Sequence, residues 1–172
     1  CQVGGTVKFC QKFGIFYFSN IILRLYMPYT NIYVHLVWAT KNRMPLLTTK
    51  AIRSELIHHI YQNCKKNNIH LISANCVTDH IHLLISLGRD QTLSHSVKLI
   101  KGESTKWLND SNLLDTYFSW QREYLGMSIS HTHLEKVKEY IAIQEIHHSK
   151  ESTETEFNYF TNKYGFEKTD FA

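Results

Sequence analysis

The chain has 172 residues, 43% of them hydrophobic, and a formal net charge of +4 with 11 histidines besides. That length and apolar content describe one domain with an adequate core, and two prolines and seven glycines argue against a long linker or low-complexity tract. The mild positive charge permits a nucleic-acid partner without requiring one.

Residues 1–28 read as an N-terminal extension and 29–172 as a single domain. Phe13 to Tyr26 is aromatic and aliphatic but is interrupted by Asn20 and Arg24. It is too short for a membrane span, and no small-residue cleavage site follows, so no membrane association is expected. Met27 just before the regular region suggests an over-extended reading frame; an added strand or partner-binding arm is the alternative. Cys1, Cys10, Cys64 and Cys76 form neither CxxC pairs nor a dense framework, which suits free thiols in a reducing cytoplasm.

From Asn31 to Ala39 the pattern alternates as a strand, with Ile32, Val34, Leu36 and Trp38 on one face and Tyr33, His35 and Val37 on the other. Lys41, Asn42 and Arg43 follow, and Pro45 marks a loop. Thr48 or Thr49 caps a helix to about Asn67, with Ile52, Leu56, Ile60 and Cys64 inward. A strand from Ile69 to Val77 turns through Thr78 and Asp79 into a second strand ending at Gly88. A second helix runs from Thr92 to Asn109, with Leu93, Val97, Ile100, Trp107 and Leu108 inward. Its outer face carries Lys98, Lys101, Ser104, Thr105 and Lys106, a mix that suits phosphate contacts or an ordinary solvated surface. Phe118 to Trp120 and Tyr124 to Ser130 read as short strands. A helix over 134–144 closes the pattern, with Leu134, Val137 and Ile141 as its buried stripe. The order β-α-β-β-α-β predicts an α+β, ferredoxin-like (RRM-like) antiparallel sheet with helices on one face.

Two patterns carry chemistry. In Asp79-His80-Ile81-His82-Leu83-Leu84 the alternation of a strand puts His80 and His82 on one face, roughly 6–7 Å apart along the chain. Two imidazoles so placed can converge on a divalent ion, and Asp79 can orient one of them; two half-exposed histidines are the plain alternative. On the last helix Tyr140 and Gln144 are four residues apart and therefore neighbours. They offer a phenolic nucleophile and an amide oxygen, or simply a surface pair. His58 and His59 read as structural or exposed, and His131 and His133 as the loop and cap before this helix.

Three stretches together resemble one family: Tyr33-Val34-His35-Leu36-Val37-Trp38-Ala39-Thr40-Lys41-Asn42-Arg43, the Asp79 to Leu84 strand, and Tyr140-Ile141-Ala142-Ile143-Gln144-Glu145-Ile146-His147-His148. Over roughly residues 29–166 the chain resembles the single-tyrosine HUH transposases (TnpA type) of small insertion sequences that move as single-stranded DNA. The resemblance implies the ferredoxin-like fold and a homodimer joined through the sheets, in which one subunit's tyrosine helix can serve the other's histidine pair. It implies Tyr140 as the nucleophile, and His80, His82 and Gln144 as holders of Mg2+ or Mn2+, with Asp79 behind them. The partner it implies is single-stranded DNA with hairpin ends, for which Lys41, Arg43, Lys98, Lys101, Ser104 and Lys106 are candidate contacts. His147 and His148, with Lys150 nearby, also match the family pattern, in a solvated, a DNA-backbone or a catalytic role. Glu123-Tyr124-Leu125-Gly126 departs from the family's Gly-Tyr-Gly-like run, which bears on DNA specificity more than on chemistry. A domesticated relative acting on repeated palindromes and a non-catalytic single-strand-binding module are the alternative readings.

Overall fold

The computed structural model describes residues 30–144. The N-terminal extension, Cys1 and Cys10, and His147, His148 and Lys150 lie outside the described residues.

Strand β1, Ile32–Ala39, is followed by a tight turn at Lys41–Arg43 and helix α1, Lys50–Lys66. Thr49 starts α1 by accepting the backbone N–H of Ile52 on its hydroxyl. Strands β2, His70–Cys76, and β3, His80–Leu87, form a hairpin that leads to helix α2, Leu93–Asp110. Thr92 caps α2 in the same manner, through the N–H of His95. Strand β4, Leu125–Ile129, and helix α3, Leu134–Ala142, complete the described chain. The strands form one sheet in the order β2-β3-β1-β4, every neighbouring pair antiparallel. This is the ferredoxin-like α+β plan expected from the sequence.

The alternation in β1 and β3 sorts side chains onto two faces. Val34, Leu36, Trp38, Ile81, Leu83 and Ile85 point to the face covered by α1 and α2, where Leu56, Ile60, Val97, Ile100 and Leu108 meet them. Each such fully buried aliphatic side chain contributes roughly 1.5–3 kcal/mol, so this layer carries most of the fold. Gly126 admits α2 closely: a Cβ there would stand 3.3 Å from a Leu93 methyl carbon. The opposite face takes α3, whose Leu134, Val137, Tyr140 and Ile141 pack on Tyr33, Ile72, Leu84 and Ile129. The sheet thus has the helices of the βαβ units on one side and the tyrosine helix on the other.

Two expectations are corrected and one feature is added. Phe118 to Trp120 is not a strand: it makes one isolated bridge, Thr40 to Trp120, and both aromatic rings are buried in the core. The β2 ladder contains a register shift between Leu71 and Ser73, an irregularity that the smooth run of residues gives no reason to expect. Helix α3 ends at Ala142, Ile143 leaves the helical region, and Gln144 is helical again, so 134–144 is not one continuous helix.

Candidate functional site

The site lies where α3 covers β1, β2 and β3. His80 and His82 occupy alternate positions of β3, and both rings point to the α3 face, their centroids 5.1 Å apart. Neither is half-exposed: His80 is 2% and His82 1% accessible, and Gln144 is wholly buried. Polar groups this deep need hydrogen-bond partners, and the partners define the site.

His80 turns Nδ1 to Asp79 Oδ1 at 2.7 Å. Asp79 is fixed in turn, since the Thr40 N–H donates to its carbonyl at 2.7 Å and Arg43 lies 3.8 Å from Oδ2. That second contact is long and half-exposed, so it orients rather than stabilises. His82 is held from two sides. The Gln144 amide nitrogen lies 2.9 Å from its Nε2, and His35 Nε2 lies 3.0 Å from its Nδ1. The same Gln144 nitrogen donates to the Tyr140 hydroxyl at 3.2 Å. The Tyr140 ring stands edge-on to both His82 and His35, at 5.9 and 6.2 Å between centroids. Burial pushes His35 down from 6.5 to about 4, so its ring is neutral near pH 7.

Asn75 anchors the end of α3. It sits on β2 directly opposite His82, and its Nδ2 donates to the carbonyl of Ile141 at 2.8 Å. A helix C-terminus leaves carbonyls without intrahelical partners; here one is satisfied by a side chain from the sheet. Gln144, just beyond that end, is thereby kept over the histidines.

The donor set fits a divalent cation. Among the described residues, no three His, Cys, Asp or Glu side chains converge as a ligand group. Two imidazoles and one amide oxygen nevertheless make a neutral N,N,O set that leaves the ion's charge for a phosphate. Asp79 backs His80 in the manner of a carboxylate behind a metal-bound histidine. The Gln144 oxygen and nitrogen exchange by a half-turn of the amide, so either can face His82.

The sequence matches the family described as Transposase IS200 like over residues 28–144. The chain belongs to the IS200-like transposase family. Its fold is shared by a Deinococcus radiodurans R1 protein proposed to be a transposase, 22% identical, with a TM-score of 0.55 over 69% of this chain and 95% of that one. It is also shared by a REP-associated tyrosine transposase solved bound to a REP hairpin, 20% identical, TM-score 0.54, over 72% of this chain and 73% of the other. No curated protein matches the sequence. Among the described residues no helix of this transposase is long and apolar enough to cross a membrane.

The structure gathers His80, His82, Asp79, Tyr140 and Gln144 within one chain, but it divides the expected DNA-contacting residues. Lys41 and Arg43 are exposed on their turn, and Lys98 and Lys106 on α2, where Lys106 pairs with Asp110 at 2.9 Å. Ser104 is not on the outer face. It is 1% accessible, donates to the Ile100 carbonyl at 2.6 Å and accepts the Trp120 indole N–H at 2.9 Å. Lys101 also turns inward. Its ammonium donates to the carbonyls of Gln121, Arg122 and Glu123 at 2.7 to 3.1 Å and lies 5.6 Å from the centre of the Trp38 ring. Burial lowers its pKa to about 8, so it remains mainly charged at neutral pH while pinning that loop. Sequence reasoning missed His35 and Asn75. An asparagine inside a strand, where that residue is disfavoured, was the available signal for Asn75.

Proposed function

We propose that this IS200-like transposase cleaves and rejoins single-stranded DNA at hairpin-bearing ends through a 5′-phosphotyrosine formed on Tyr140. The carrying observation is the buried hydrogen-bonded run Tyr140–Gln144–His82, lying on the same face as His80. A module that only bound single strands would have no use for such a cluster under a helix. Hairpin recognition is extended to this chain from the REP-associated relative, which was solved on a hairpin. Ends of a mobile element and repeated palindromes are both hairpins, and the chemistry is common to them.

A free phenol ionises near pH 10 and is a weak nucleophile at neutral pH. Gln144 donates to the Tyr140 oxygen and so favours negative charge there. The phenol gives up its proton to water and its oxygen bonds to phosphorus as the bond to the 3′ oxygen breaks, and that oxygen takes a proton from water and leaves as a hydroxyl. One phosphodiester replaces another, so a second 3′ hydroxyl can reverse the step on a new strand without a nucleotide cofactor. His80, His82 and Gln144 are the residues that would hold Mg2+ or Mn2+, which when bound would polarise the phosphate and offset charge on the departing oxygen. Arg43, beside Asp79, and Lys41 supply positive charge for the strand. A homodimer would carry two such clusters, each complete within its own chain.

The test is incubation of wild-type protein and Tyr140→Phe with end-labelled single-stranded hairpin DNA and Mg2+ or Mn2+. The substitution removes one oxygen and keeps the ring, so hairpin binding persists while covalent adduct and strand transfer vanish together. An adduct with the phenylalanine variant means another nucleophile; wild-type nicking without any adduct means that water attacks.

A further inference from the structure

The chain of buried hydrogen bonds does not stop at the metal-binding atoms proposed above. Behind His82, on the inner strand β1, stands His35, which is 1% accessible and lies in the first of the three stretches that carry the family resemblance. In the sheet register His35 faces Leu84 and Val37 faces His82, so His35 is the diagonal neighbour of His82, within reach of a ring. Its Nε2 is 3.0 Å from His82 Nδ1, the rings tilted by 32° with centroids 5.2 Å apart.

Two ring nitrogens at that distance need one proton between them. If it sits on His82 Nδ1, the lone pair of His82 is on Nε2, the atom facing Gln144. If it sits on His35 Nε2, His82 carries its proton on Nε2, and that atom cannot bind a cation. An imidazole ligates only through its unprotonated nitrogen, and the hydrogen bond at the other nitrogen selects the tautomer. A Gln144 nitrogen at His82 Nε2 goes with the first arrangement and a Gln144 oxygen with the second, and a half-turn of the amide interchanges them.

We infer that His35 is a positioning residue for this transposase: it accepts the Nδ1–H of His82 and so fixes the tautomer and ring angle in which His82 Nε2 can ligate a divalent ion. The inference rests on the metal-centre reading and deepens it by naming a residue behind the ligands. It makes the two histidines of β3 unequal in their support, a carboxylate behind His80 and a neutral imidazole behind His82. The low accessibility of His35 keeps water from competing for that bond.

The test compares wild type, His35→Leu, His35→Gln and His80→Ala/His82→Ala. Mn2+ affinity is read by electron paramagnetic resonance of the unbound ion, and the His82 tautomer by 15N resonances of metal-free, histidine-labelled protein. Leucine fills the apolar site without an acceptor, and a cooperative thermal transition shows that the variant folds. Expected are an Nδ1–H His82 in wild type, Mn2+ binding weakened about 10–100-fold in His35→Leu, and recovery in His35→Gln, whose amide oxygen can accept. Folded His35→Leu with wild-type affinity, or an Nε2–H His82 in the wild type, overturns the role of His35 while leaving the metal centre standing. Wild-type affinity no better than that of His80→Ala/His82→Ala overturns the metal centre, and the inference with it.

Discussion

At the scale of single residues, burial decides what each polar group can do. His35 has a folded pKa of about 4 against an ordinary 6.5, because burial penalises its charged form. Between those values the unfolded chain binds the extra proton, so stability rises with pH there. The contribution is fully present above pH 6.5 and is lost as pH falls through 4, by on the order of 3 kcal/mol at most. Chemical denaturation of wild type and His35→Gln across pH 4–7 checks this: the variant should lose distinctly less stability on acidification. His80 and His82 were legible as a same-face pair because a strand's period is two. Their burial was not, since it depends on a helix more than fifty residues away. His35 shares the α3 face in the alternation of β1, yet only the pairing of β1 with β3 shows that it meets His82.

At the scale of elements, the hydrophobic periods of β1, β3, α1 and α2 place the elements well, because one face of each meets the main core. The misreading of Phe118 to Trp120 has a definite origin. Aromatic residues favour strands, but these bury their rings by packing, while Asn109 bonds the Phe118 backbone through both its amide oxygen and its nitrogen. Ser104 was readable with closer attention to phase, since 97, 100, 104 and 108 form one helical stripe and its neighbours there are core residues. The hold of Asn75 on α3 yields a prediction. Asn75→Ala removes a side-chain donor from the Ile141 carbonyl and should destabilise the domain by about 1–2 kcal/mol. Cleavage should fall further than stability explains, because Gln144 follows the loosened end; unchanged cleavage by a destabilised variant would separate the anchor from the chemistry.

At the scale of the whole molecule, the tyrosine, the glutamine and the histidine pair belong to one chain in this structure. The resemblance leaves open a site shared between subunits, and a site built within one chain makes a distinct prediction. Mixing a His80→Ala/His82→Ala protein with Tyr140→Phe under conditions that exchange subunits should leave cleavage absent. Regained cleavage in the mixture would mean that the tyrosine helix crosses between chains when DNA is bound.

The register shift in β2 reaches further than its size suggests. Leu71 pairs with Ile85, but beyond the shift Asn75 pairs with His82 and Cys76 with Ile81. Continuing the first register unbroken would set Asn75 against Ile81, with its amide in the apolar layer under α1 and Cys76 toward α3. The skip at Ile72 therefore keeps the anchor of the tyrosine helix on the α3 side of the sheet. The chain should accordingly tolerate changes of length unequally. Removing Ile72 should leave Asn75 opposite His82 and cleavage largely intact, because it takes out the residue that the ladder skips, whereas one residue added after Ser73 has no further bulge to absorb it and should cost folding and cleavage together. Thermal unfolding and hairpin cleavage of the two length variants would read that asymmetry directly.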